Sequence, residues 1–124
     1  MQIKLDKADV VFSQVIRLRD KECVRCHSRV KFNNNGLPVS HQNSHYFGRG
    51  QESTRFCLEN CDTLCYGCHV AWGSKDREDY RSFKIKQLGE EGFSLLKLKS
   101  KTPQRKDRKL ELIKAKMLIK EYIS

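Results

Sequence analysis

The sequence predicts a small α+β domain in which a zinc ion staples a ββα unit together, with further helices on either side. Three observations carry that expectation. Two Cys-x-x-Cys pairs, Cys23/Cys26 and Cys65/Cys68, have the spacing of a four-thiolate metal site. Between them, Asn33-Asn34-Asn35-Gly36 is turn chemistry flanked by short strand candidates, because Asn and Gly tolerate positive φ. Outside them, apolar residues recur near the helical period.

Taken in order, Lys7 to Arg19 reads as a helix with Ala8, Val11, Phe12, Val15, Ile16 and Leu18 mostly on one face and Asp6 as its N-cap. Arg17, Arg19 and Lys21 follow at the C-terminal end, where cations suit the helix dipole and a solvated face is expected. Cys23-Val24-Arg25-Cys26 is a metal knuckle. Val30–Phe32 and Leu37–Tyr46 are the two strands expected to pair across the Asn-Gly turn. Gly48 to Arg55 is a polar loop, with Phe56 and Leu58 expected beneath it. A helix enters through the second knuckle and runs to about Trp72. A second spans Asp76 to Leu88, with Tyr80, Phe83, Ile85 and Leu88 inward and Gly89 as its stop. Phe93, Leu95, Leu96 and Leu98 mark another helical segment. Lys99 to Gln104 is a linker, and Arg105 to Ile123 is a basic amphipathic helix with Leu110, Ile113, Met117, Leu118, Tyr122 and Ile123 as its apolar positions. That helix is placed to dock on its own domain, to form a homodimer, or to lie along DNA.

A chain of 124 residues, 38% hydrophobic and 32% charged, affords one small core, which a structural metal would supplement. The formal net charge of +10 favours a polyanionic partner. No apolar run is long enough to span a bilayer and the N-terminus lacks the apolar segment of a signal peptide, so a cytoplasmic protein with no membrane partner is expected. In a reducing compartment, thiols paired at this spacing are metal ligands: Cys23, Cys26, Cys65 and Cys68 for structural zinc. Cys57 and Cys61 are left over and are read as small buried hydrophobes, and His27 as a surface residue.

The long insert between the knuckles carries the chemistry. Phosphodiester hydrolysis needs an activated water and a group that stabilises the leaving oxygen. His45, at the end of its strand, is the candidate base, since a neutral imidazole accepts a proton at physiological pH. His69 is placed to hold a divalent Mg²⁺ or Mn²⁺ ion, Asn60 to orient His45 through its ring or the backbone around it, and Arg49 and Arg55 to grip DNA phosphates.

Ser44-His45, Asn60 and Leu64-Cys65-Tyr66-Gly67-Cys68-His69 resemble the motif of the HNH (His-Me finger) endonucleases. Arg17-Leu18-Arg19-Asp20, Ser44 to Arg49, Thr54-Arg55-Phe56 and Gln87-Leu88-Gly89 extend the likeness to the NinG/Rap-type phage recombination nucleases, over roughly residues 7–98. The four-cysteine zinc is similar to that of recombination endonuclease VII, a Holliday-junction resolvase. The resemblance implies metal-dependent DNA cleavage linked to recombination, with catalytic residues His45, Asn60 and His69. Many members carry an aspartate or histidine ligand just before the base. Here that position is Ser44, which would bind the ion, act through water, or leave the role to another residue; His41 is a rival. A non-catalytic zinc-stapled DNA-binding module is the alternative. The implied organisation is an N-terminal helix (1–22), a zinc-stapled nuclease domain (23–98), and a linker with the C-terminal helix (99–124).

Overall fold

A computed structural model describes residues 4–123 of the chain. Helix α1 spans Lys7–Asp20 and begins at a reciprocal cap: Asp6 accepts the Asp9 N–H, and Asp9 accepts the Asp6 N–H. Ala8, Phe12, Val15, Ile16 and Leu18 are buried along its inner face, the stripe that the periodicity anticipates. At its end Lys21 takes φ +62 and its N–H closes on the Arg17 carbonyl.

The pairing of strands differs from expectation. Strand β1 is Gln42–His45, and its partner is β2, Cys61–Leu64, rather than Val30–Phe32. The two run antiparallel with Gln42 opposite Leu64 and His45 opposite Cys61. The Asn-Gly turn does form: Asn33 Oδ1 accepts the N–H groups of Asn35 and Leu37, and Gly36 takes φ +80. The strands around it stay at a single Phe32–Pro38 bridge, held by the Asn33 N–H on the Leu37 carbonyl and the Val39 N–H on the Lys31 carbonyl, and the Lys31 N–H that would extend the ladder goes to the Ser40 hydroxyl instead. Cys61-Asp62-Thr63-Leu64 is too short and too polar to announce a strand, yet all four residues are buried, because helices cover both of its faces.

Helix α2 follows directly at Tyr66–Val70 and continues into a wider π turn, Ala71–Lys75. Helix α3, Arg77–Lys101, is broken at Gly89, whose φ of +78 and ψ of 162 are not helical. This is where the sequence places the stop, and Phe93 and Leu96 on the second segment are buried. Helix α4, Arg108–Ile123, lies against α1.

Alternation along the sheet sends neighbouring side chains to opposite faces. Asn43 and His45, with Thr63 and Cys61 across from them, turn toward α1, where Thr63 donates to the Ile16 carbonyl. Ser44 and Asp62 turn toward α3. The core divides accordingly. Tyr46, Leu64, Trp72, Tyr80 and Phe93 gather on the α3 side, with Trp72 stacked on Tyr80 at 4.6 Å. Ala8, Phe12, Ile16, Phe56 and Cys61 gather on the α1 side.

Two smaller expectations are corrected here. Leu58 is exposed, and only Phe56 lies beneath the loop. On α4 the docked side chains are Leu112 and the fully enclosed Ala115, while Leu110, Ile113, Met117, Tyr122 and Ile123 face outward. Arg108 sets that rotation by pairing with Asp6 and Glu52, and the small Ala115 side chain permits close approach.

Candidate metal centre and histidine site

The four sulfurs of Cys23, Cys26, Cys65 and Cys68 lie within 4.8 Å of one another and form a cluster that could hold a metal ion such as zinc. A tetrahedron with Zn–S near 2.3 Å requires sulfurs about 3.8 Å apart, and Cys26 and Cys65 stand at 3.7 Å. The first knuckle closes through the His27 N–H on the Cys23 carbonyl, at 2.8 Å, with His27 at φ +66. Its imidazole turns away to Glu22, at 2.7 Å, as a surface residue. Cys65 occupies the N-cap position of α2 without a side-chain capping bond, and Cys68 sits one turn inside it. Arg25 donates to the Cys68 sulfur at 3.4 Å, a favourable contact for a four-thiolate centre with excess negative charge. The Ser28 hydroxyl and backbone pull the Cys26 thiol down to about 6, so this sulfur is largely ionised at neutral pH. Cys61 behaves as the spare hydrophobe it was read to be: burial pushes its thiol far up.

His45 ends β1, and its Nε2 lies 3.0 Å from the Arg55 carbonyl. A carbonyl oxygen only accepts, so Nε2 carries the hydrogen and Nδ1 holds the lone pair. That Nδ1 is buried and has no hydrogen-bond partner among the described residues. Burial first, and then the Arg49 guanidinium, hold the ring down to about 4, so it is neutral at physiological pH. The Nε of Arg49 is likewise buried without a partner. Of the buried polar atoms lacking a partner among the described residues, three belong to Asn43, His45 and Arg49, within one seven-residue stretch. Such groups are rare in folded proteins and call for an explanation where they cluster.

His69 projects from α2 onto Gln42, the first residue of β1, with Nδ1 against the Gln42 Oε1. An amide oxygen accepts, which leaves the His69 Nε2 lone pair free. Burial and Arg49 again disfavour the charged ring. One guanidinium therefore acts on both imidazoles. Their strand attachment points, Gln42 and His45, are three steps apart, roughly 10 Å along an extended chain.

Asn60 is fully enclosed and spans the loop between the strands. Its Nδ2 donates to the Phe47 and Thr54 carbonyls and its Oδ1 accepts the Phe47 N–H. It fixes the backbone around His45 and not the ring. The Asn60 carbonyl also receives the Tyr46 N–H, so the residue after His45 is held on both sides.

Three of the expected site roles are corrected by the geometry. Arg55 does not face a phosphate. It is buried against Asp9, with bonds of 2.8 and 2.5 Å, and reaches the site only through its carbonyl. Burial would raise the Asp9 carboxyl, but the Arg55 bonds outweigh it and the group is lowered. Ser44 is 3% exposed and turned to the opposite face from His45, where it meets Tyr80 at 3.1 Å, so it is not a ligand for an ion beside His45. His41, at φ +69, has both ring nitrogens engaged, Nε2 by Ser28 and Nδ1 by Ser40. Arg19 is also no solvated cation, since it holds the Leu58 and Cys61 carbonyls.

The chain matches no family model, no curated protein and no solved structure.

Sequence reasoning missed Gln42, Asp9, Asp62 and Lys84. Lys84 is wholly buried, with its ammonium on Asp62 at 3.0 Å and on Gln87 and the Glu59 carbonyl. Its position four residues after Tyr80, on the face expected to be inward, is the signal that was available. Gln42 and the Asp9–Arg55 pairing gave none, because each joins residues distant in the chain.

Proposed function

We propose that the protein is an HNH-type endonuclease: a metal-dependent phosphodiester hydrolase acting on DNA, with structural zinc in the four-cysteine cluster and the β1–β2–α2 sequence as its ββα core. The observation that carries this reading is His45, whose Nε2 is tied to the Arg55 carbonyl while Nδ1 presents an unshared lone pair beside the unpaired Arg49.

In this reading His45 Nδ1 takes a proton from water as the water oxygen bonds to phosphorus. The P–O bond to the leaving sugar oxygen then breaks. Arg49 meets the charge on the non-bridging oxygens. A bound Mg²⁺ or Mn²⁺ would neutralise the developing alkoxide. The residues present fit such an ion sparingly: His69 offers Nε2, Ser44 is turned away, and among the described residues only the four cysteines form a group of three or more protein ligands. Mg²⁺ suits that arrangement, because it retains several waters and draws ligands from substrate phosphate. Branched recombination intermediates are the substrate the resemblance suggests. Cutting two strands symmetrically would need a dimer, for which the outward Leu110, Ile113 and Met117 of α4 would serve.

A non-catalytic DNA-binding module is the second reading, favoured by the scarcity of ligands around His69. One assay separates the two. Supercoiled plasmid incubated with Mg²⁺ or Mn²⁺ is nicked by the wild-type protein, and His45→Ala, with its zinc content intact, is slower by about 10²–10⁴-fold. Binding without nicking across several metals refutes the enzyme.

A further inference from the structure

Beyond the histidine site, the loop that carries Arg49 runs into a cleft of about 810 Å³. One wall is the segment from Gly50 to Ser53, and the other is the end of α3 with the linker to α4. Both walls are fixed. The Ser53 hydroxyl donates to the Lys99 carbonyl at 2.6 Å, and Arg108 grips Glu52 at 2.7 Å while stacking over Phe56. The cleft is thus formed before any ligand arrives.

Its volume falls in the range of small-molecule sites, roughly 300–1,000 Å³, but such sites are lined mainly by apolar and aromatic side chains. Here the side chains are Gln51, Ser53, Lys101, Gln104, Arg105 and Lys106, with Pro103 the one larger apolar contribution. Glu52 is the sole carboxylate on the lining, and Arg108 and Arg55 already hold it. Lys101, Arg105 and Lys106 have no ion pair or side-chain hydrogen bond among the described residues. By contrast, Arg108 in the same cleft is paired with Asp6 and Glu52.

We infer that this cleft is a track for the phosphodiester backbone of a nucleic-acid strand, with Lys101, Arg105 and Lys106 each neutralising a phosphate as the strand leaves the histidine site past Arg49. The linker is then part of the binding surface and not a passive spacer. The partner is set by chemistry alone: a polyanion with regularly spaced charges and hydrogen-bond acceptors, which the hydroxyl and amides of Ser53, Gln51 and Gln104 also suit. The inference shares its substrate class with the proposed hydrolase. Its test measures binding, so an absence of cleavage leaves it standing.

The test compares full-length proteins carrying His45→Ala, with no divalent metal added, in titrations of a fluorescein-labelled DNA duplex and of RNA of the same sequence over a range of salt. One variant adds Lys101→Ala, Arg105→Ala and Lys106→Ala. A control adds Lys86→Ala, Lys116→Ala and Lys120→Ala, removing the same charge from exposed positions outside the cleft. Each phosphate contact contributes about 0.9 to the slope of log K against log salt on B-DNA, so loss of three contacts makes the slope shallower by about 2.7. The cleft variant shows that change and binds at least tenfold more weakly at moderate salt, while the control changes little. The duplex and RNA titrations then identify which nucleic acid takes the track. An unchanged slope in the cleft variant, an equal change in the control, or no binding of either nucleic acid by the parent protein overturns the inference.

Discussion

Strand β1 turns Ser44 to one side and His45 to the other, and the two sides are completed in opposite ways. Toward α3, Tyr80 lies 3.0 Å from Asp62 Oδ2 and 3.1 Å from Ser44 Oγ. The carboxylate only accepts, so the phenolic proton goes to Asp62 and the Ser44 hydroxyl donates to Tyr80. Lys84 and Gln87 fill the remaining positions on Asp62, and this network closes on itself. Toward the other side, His45 Nδ1 and Arg49 Nε have no hydrogen-bond partner among the described residues. A buried polar network is costly unless every member is satisfied. The closed side holds the strand in place, and the open side leaves two buried nitrogens without a partner among the described residues.

If the closed side is structural, breaking it has the largest effect on stability. Lys84→Met leaves the Asp62 carboxylate buried without its cation and is expected to cost about 3–5 kcal/mol in urea unfolding. Adding Asp62→Asn recovers part of that loss, since no lone charge remains. A cost below about 1 kcal/mol for Lys84→Met would show that the network carries little load.

Acid should expose the open side. His45 is held down to about 4, against an ordinary value near 6.5 for the unfolded chain. The unfolded state therefore binds a proton that the folded ring refuses. The stability this represents is fully present above about pH 6.5 and is lost as pH falls from 6.5 through 4. His69, shifted in the same direction, adds to it. Urea midpoints should fall from pH 7 to pH 5, and His45→Gln should flatten that fall. An unchanged slope would place the ring in contact with water.

Ser44→Ala sharpens the contrast with the smallest effect. It removes one neutral hydrogen bond, worth about 1 kcal/mol, and leaves metal-dependent nicking at the wild-type rate. A collapse of nicking with zinc and fold retained would return Ser44 to the ion.

How much of this was legible in the sequence follows from where each partner lies. The knuckles, the α1 stripe, the Asp6 cap and the break at Gly89 are local patterns, in which spacing of a few residues decides the outcome. The partner of β1 was not legible, because the Asn-Gly turn advertises a local hairpin while the true ladder joins segments across a loop that Asn60 braces. Arg55 shows the same limit. An arginine beside a polar loop reads as a phosphate ligand, and only the fold reveals that Asp9, on another element, already occupies it. The place of His45 at a strand end is legible in the sequence, but its unpartnered nitrogen belongs to the tertiary structure.

The most direct measurement is ¹⁵N NMR of the histidine side chains, in wild-type protein and in Arg49→Ala. The account predicts that His45 carries its hydrogen on Nε2, keeps a bare Nδ1, and protonates only near pH 4. In Arg49→Ala the values of His45 and His69 should both rise, with burial still holding His45 below its ordinary range. A hydrogen on Nδ1, titration of His45 near 6.5, or a response of one ring without the other would contradict it.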